Sequence, residues 1–214
     1  MPFSTLGLDP ALLHALDEQG FHSATAIQRE AIPAILHGRD LLATARTGSG
    51  KTAAYALPML HGLASLPIGG YRRQLRALIL VPTRELALQV GELLQDLAAR
   101  QAGSARQVLK VQALYGGVSI NPQLLALRGG ADLVVATPGR LLDVIGHNGL
   151  QLDQVRQLVL DEADRLLDLG FAEELDRVLK QLPVKRQNLL FSATFPAAVQ
   201  GLADALLREP VQIR

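Results

Sequence analysis

The sequence predicts an α/β domain built on a doubly wound, mostly parallel sheet. Three observations lead there. Short, β-rich apolar runs recur at 40–43, 77–81, 108–114, 132–136, 157–160 and 188–191. Several of them are apolar throughout, as strands covered on both faces are. Longer segments with helical periodicity separate them, and such alternation reads as successive βαβ units.

The elements follow in order. Two helices, at 10–19 and 25–37, precede the first strand and form a helical extension over 1–38. Residues 39–214 then make up the sheet domain, so a single domain is expected for 214 residues. Over 83–99, Leu86, Val90, Leu93, Leu94 and Leu97 fall at helical spacing. Val199, Leu202, Ala203 and Leu206 repeat the pattern over 196–207, where Pro196 suits a first turn. Segments 66–70 and 101–104 read as loops. Phe21 reads as a core residue.

Composition narrows the function. Hydrophobic residues make up 49% and charged residues 19%, which is globular. The absence of cysteine excludes disulfides and thiolate metal sites. No apolar run approaches the roughly 20 residues of a membrane span, and Met1–Thr5 lacks the basic start of a signal peptide. A cytoplasmic protein without a membrane partner is expected. No two of the five histidines have metal-ligand spacing. The net charge of +1 hides a division. Within 41–131, Arg46, Lys51, Arg72, Arg73, Arg76, Arg84, Arg100, Arg106, Lys110 and Arg128 face only Glu85, Glu92 and Asp96. A phosphate-rich ligand and a chance cluster of solvated arginines both fit that excess.

Two motifs carry chemistry. Ala45, Arg46, Thr47, Gly48, Ser49, Gly50, Lys51 and Thr52 follow the first strand and open a helix. They match a phosphate-binding loop, with Ala45 in place of the first glycine. Glycines let successive N–H groups turn inward onto phosphate oxygens, beside a helix N-terminus. Lys51 is placed for the β- and γ-phosphates, and the Thr52 hydroxyl for Mg²⁺. The strand at 157–160 then delivers Asp161, Glu162, Ala163 and Asp164. Ligands of such sheets bind beyond the carboxyl ends of the strands. Asp161 would hold Mg²⁺ through water, and Glu162 could accept a proton from an attacking water. An acidic helix start is the plainer reading of the same residues.

The two motifs together resemble the DEAD-box ATP-dependent RNA helicases. Other segments extend the resemblance in the family's order across nearly the whole chain. Gly20, Phe21, Ala24, Thr25, Ala26, Ile27 and Gln28 resemble the adenine-reading Q motif, with Phe3 upstream. Ala24 stands where that motif usually has proline. Arg46 occupies a variable position where Gln is common. Pro82, Thr83 and Arg84, then Gly116 and Gly117, then Thr137, Pro138, Gly139 and Arg140 resemble the RNA-contact motifs. Ser192, Ala193 and Thr194 resemble the segment that couples ATP state to RNA, a role implied for Asp164 as well.

The resemblance implies a RecA-like ATP-binding domain that uses ATP and Mg²⁺. The catalytic residues would be Glu162, Lys51 and Asp161, with Thr52 and Asp161 as the metal ligands. Nucleotide contacts would come from Phe3, Thr25, Gln28 and the loop 45–52. The Gln28 amide complements adenine N6 and N7, whereas guanine presents two acceptors there. Phe3 serves equally well as a base-stacking ring or an apolar anchor. Thr83 and Thr137 begin helices, where capping is the ordinary role. The same helix starts, with Arg84 and Arg140, suit RNA phosphates, so RNA binding would be independent of sequence. The family carries a second RecA-like domain with arginine fingers, expected to be absent from these 214 residues. The chain alone is expected to be monomeric, to bind nucleotide and to hydrolyse it slowly. A DNA translocase and a non-catalytic nucleotide-dependent RNA-binding module remain the competing readings.

Overall fold

A computed structural model describes residues 1–46, 48–66, 73–102 and 108–213. Among these residues seven strands form one sheet. They are β1 (Leu41–Thr44), β2 (Ala77–Leu80), β3 (Val111–Leu114), β4 (Leu133–Ala136), β5 (Gln157–Leu160), β6 (Gln187–Ser192) and β7 (Val211–Ile213). Their order is β3-β4-β2-β5-β6-β1-β7, and every pairing is parallel. The doubly wound parallel sheet read from the sequence is therefore present.

Helices cover both faces. One side holds α1 (Pro10–Glu18), α2 (Ala26–Leu36), α3 (Lys51–Ala64) and α4 (Arg84–Ala102). The other holds α6 (Pro138–Gly146), α7 (Ala163–Asp168), α8 (Ala172–Leu179) and α9 (Ala197–Leu206). The short α5 (Asn121–Ala126) follows β3. Strand residues alternate between the two cores, as the pleat requires. Leu41, Ile79, Val135, Val159 and Phe191 join the first, while Leu42, Leu80, Val134, Leu160 and Leu190 join the second. Full burial of each such aliphatic side chain is worth about 1.5–3 kcal/mol. Phe3, Leu12 and Ile32 share the first core with Leu57 and Leu60, so the N-terminal helices are continuous with the sheet's packing.

Two buried aspartates secure the amino ends of the strands. Asp40 accepts from Asn188 N at 2.8 Å and Arg208 N at 2.9 Å. Asp132 accepts from Arg76 Nη2 at 2.7 Å, Lys110 N at 2.8 Å and Arg73 Nη1. Arg73 and Arg76, part of the basic excess, thus serve the fold at the end of the sheet remote from the phosphate loop.

Several local expectations need correction. Phe21 is 43% exposed, not core. Strand β3 begins at Val111 rather than 108, because Lys110 N–H is taken by Asp132. Strand β7 was not expected. It has only three residues after Pro210 and exists by pairing with β1, Leu41 beside Val211. The loop expected at 101–104 starts later, since α4 runs through Ala102. Positions 67–70 and 103–104 of the expected loops lie outside the described residues.

Candidate functional site

Apart from the Q-like segment, which precedes β1 at the start of α2, every motif found in the sequence falls at the carboxyl end of a strand. Ala45 follows β1, Pro82 follows β2, Gly116 lies just past β3, Thr137 follows β4, Asp161 follows β5 and Ser192 ends β6. One edge of the sheet therefore collects them, because all the strands run the same way.

The phosphate loop leaves β1 with Ala45 N donating to Ser192 O at 3.0 Å, and Ser49 N donates to Arg46 O at 3.3 Å. Thr47 lies outside the described residues. Gly50 caps α3 at φ 93° and ψ 19°, a left-handed conformation that favours glycine. A Cβ on Gly50 would lie 2.5 Å from Gln28 Nε2 and 3.0 Å from Thr25 Oγ1. Lys51 opens the helix with its side chain 6% exposed, and its Nζ lies 3.9 Å from Asp161 Oδ1. Neither that Nζ nor Ser49 Oγ, both buried, has a hydrogen-bond partner among the described residues. A buried ammonium in this state is costly unless an anion completes its shell. These orphaned donors beside a turn of left-handed glycines fit a polyphosphate.

Asp161 is 2% exposed. Its Oδ1 accepts from Glu162 N at 2.9 Å and its Oδ2 from Tyr55 Oη at 2.8 Å. Burial pushes its carboxyl above the ordinary carboxylate value, against the Lys51 charge and the Tyr55 hydrogen bond, which pull it down. Burial, then the Asp161 charge, pushes the Tyr55 phenol well up, so it stays a neutral donor. Glu162 takes φ 50°, a left-handed backbone for a residue with a side chain, and its Oε2 accepts from Arg165 Nη1 at 3.1 Å. Among the described residues no group of three or more His, Asp or Glu forms a metal cage. Mg²⁺ does not need one, since it takes one or two carboxylates together with substrate phosphates.

Asp164 joins the β6 end to this cluster. Its Oδ2 accepts from Thr194 N at 2.9 Å and Thr194 Oγ1 at 2.7 Å. Its own N–H meets Ser192 Oγ at 3.3 Å, and that hydroxyl donates to Thr194 O at 2.6 Å. Burial raises the Asp164 carboxyl, but bonds from Thr194, Ser192 and Arg165 outweigh it and hold the carboxyl below its ordinary value. Ala193 lies between them, exposed.

Gln28 is 3% exposed and already engaged. Its Oε1 accepts from Thr25 N at 2.9 Å, within a capping box at the start of α2. Its Nε2 donates to Gly50 O at 3.1 Å. One N–H and one carbonyl lone pair remain. The spacing Thr25-x-x-Gln28 is itself a capping-box signature, a signal passed over in the sequence. Phe3 is 4% exposed and packs within the core as an apolar anchor. Phe21 is the aromatic of the Q-like segment that offers a surface.

The segments expected to contact RNA divide. Thr83 Oγ1 caps α4 through Leu86 N at 3.2 Å, whereas Thr137 starts α6 without a side-chain cap. Arg84 is exposed, its guanidinium 5.1 Å from the centre of the Tyr115 ring. Pro82 and Pro138 are buried, while Gly139 is half-buried. Arg140 is folded inward: Nη2 donates to Val118 O at 2.7 Å, beside Gly116 and Gly117. Arg140 Nε and Nη1 are buried without a hydrogen-bond partner among the described residues, though Nε lies 3.7 Å from Asp143 Oδ2. Tyr55, Arg165 and Asp143 had no motif to announce them.

The fold and this edge define a phosphate-loop nucleotide-binding domain of the RecA-like kind. The model of the DEAD/DEAH box helicase family matches residues 25–202, and the chain belongs to that family. It is 43% identical over 212 residues to the ATP-dependent RNA helicase CshA of Listeria monocytogenes, covering 99% of this chain and 39% of that protein. It is also 43% identical, over 215 residues, to the ATP-dependent RNA helicase DeaD of Escherichia coli, covering 99% and 32%. The chain thus spans between about a quarter and two fifths of the length of the curated relatives it matches. Among solved structures, the yeast DEAD-box splicing factor Prp28 superposes with a TM-score of 0.89 at 35% identity, covering 96% of this chain and 49% of that one. A DEAD box protein from Methanococcus jannaschii gives 0.86 at 37% identity, covering 100% and 55%.

Proposed function

We propose that this chain is the ATP-binding half of an RNA helicase core. The buried Lys51 ammonium at the phosphate loop carries the reading: it has no hydrogen-bond partner among the described residues, only a 3.9 Å ion pair with Asp161, and an anion in that loop would complete its shell. Lys51 and the loop N–H groups grip the phosphates of ATP. The Thr52 hydroxyl and the Asp161 carboxylate hold Mg²⁺, which when bound screens phosphate charge and orients the terminal phosphate. Glu162, on a left-handed turn one residue after Asp161, is the base for the attacking water. Gln28 reads adenine through its spare N–H and lone pair.

Asp164, Ser192 and Thr194 join the β5 and β6 ends, so a change at the carboxylates reaches the RNA side. Arg84, Gly116, Gly117, Thr137, Gly139 and Arg140 hold the sugar–phosphate backbone without reading bases. A second RecA-like domain would close on ATP and RNA and supply an arginine finger, worth ~10³–10⁵ in rate. Residues 1–214 alone therefore bind ATP as a monomer and turn it over slowly. The setting is cytoplasmic. No helix among the described residues is long and apolar enough to cross a membrane.

Titration of the chain with fluorescent ATP and GTP analogues in Mg²⁺ tests this. ATP binds roughly tenfold or more tightly than GTP, the lower part of the 1–3 kcal/mol such an amide contact discriminates. Equal affinities overturn adenine reading by Gln28, and no binding of either overturns the nucleotide site.

A further inference from the structure

Tyr55 lies one turn after Thr52 on α3, and residues three apart share a helix face. Its ring is fully buried and leans on Phe191 of β6, with centroids 5.2 Å apart and planes at 58°. A phenylalanine would fill that space as well. The hydroxyl is what distinguishes tyrosine, and it meets a functional side chain. It donates to Asp161 Oδ2 at 2.8 Å. The phenol has one proton, and it goes to Asp161.

We infer that Tyr55 is a positioning residue for the divalent cation, its hydroxyl fixing the Asp161 carboxylate. The inference rests on the Mg²⁺–nucleotide reading above and adds a residue to it. Asp161 is fixed at both oxygens, by the Glu162 N–H on Oδ1 and the Tyr55 hydroxyl on Oδ2. Rotation of the carboxylate breaks both bonds, so its free lone pairs keep one direction. Partners of this outer kind commonly alter metal affinity by 10–100-fold when removed.

Tyr55→Phe deletes only the hydroxyl and keeps the ring against Phe191. Binding of a fluorescent ADP analogue is measured across a Mg²⁺ series and again in EDTA. In Tyr55→Phe the half-saturating Mg²⁺ rises about tenfold, while affinity in EDTA stays within about twofold. Phe191→Leu, which disturbs the ring contact but spares the hydroxyl, keeps the parental Mg²⁺ dependence. A Tyr55→Phe midpoint within about twofold of the parent overturns the inference and leaves the nucleotide site standing. Equal weakening with and without Mg²⁺, or the same rise in Phe191→Leu, shows that Tyr55 serves packing and overturns it too. A parent protein without Mg²⁺-dependent binding removes the site reading itself.

Discussion

Alanine at Gly50 would strike the joint between the N-terminal helices and the phosphate loop. The backbone there has φ 93°, and holding a residue with a Cβ in a left-handed conformation costs about 1–2 kcal/mol. The new Cβ also lies 2.5 Å from Gln28 Nε2 and 3.3 Å from Gln28 Cδ. Gln28 is buried and pinned at both ends, so the amide cannot swing aside without losing its bonds to Gly50 O and Thr25 N. Two such hydrogen bonds contribute roughly 2 kcal/mol. The expected loss is therefore about 3–4 kcal/mol, a large part of a domain's typical 5–15 kcal/mol. In a Gln28→Ala background those bonds are already gone, and Gly50→Ala should cost only the ~1–2 kcal/mol of backbone strain. Urea unfolding of the four proteins gives a coupling of about 2 kcal/mol. Additivity within about 0.5 kcal/mol would refute the claim that Gln28 and Gly50 form one joint.

Two further outcomes follow from the same edge of the sheet. Asp164→Asn should cost about 2 kcal/mol at neutral pH, the scale of bonds to a charged acceptor. The Asp164 carboxyl is held below its ordinary value, so its stabilisation is present above the unfolded Asp pKa of about 3.9 and disappears as pH falls through the lower folded value. Urea midpoints of parent and variant should keep a constant gap above about pH 5 and converge in acid, and a gap that widens in acid contradicts the assignment. Arg84→Ala should weaken binding to single-stranded RNA equally across sequences and reduce the salt slope by about 0.7, one phosphate contact. An unchanged slope in fluorescence anisotropy would remove Arg84 from the RNA surface.

What the sequence made legible was local to the strand ends. The loop at 45–52 and the acids at 161–164 each follow an apolar run directly, so reading the strand places the chemistry. The exceptions depended on distant partners. Tyr55 and Asp161 meet across 106 positions, and nothing near Tyr55 separates its hydroxyl's role from core filling. Asp132 absorbs Arg73 and Arg76, which charge counting had left available to a ligand. Arg140 turns toward Val118 O because a loop 22 residues earlier supplies the acceptor. Phe21 faces outward rather than into the core, and one aromatic in a polar segment says nothing about which way it faces. Strand β7 is made by its neighbour β1 and has no signature of its own.

The left-handed backbone at Glu162 has an evolutionary consequence. A glycine there would relax the turn, and an asparagine would sit in it more easily than a glutamate. Any selection for folding alone would therefore push against the proposed base. A lineage released from the need to hydrolyse nucleotide would have a thermodynamic reason to lose this residue early, while Gly50 and Gln28 stayed in place to hold the fold.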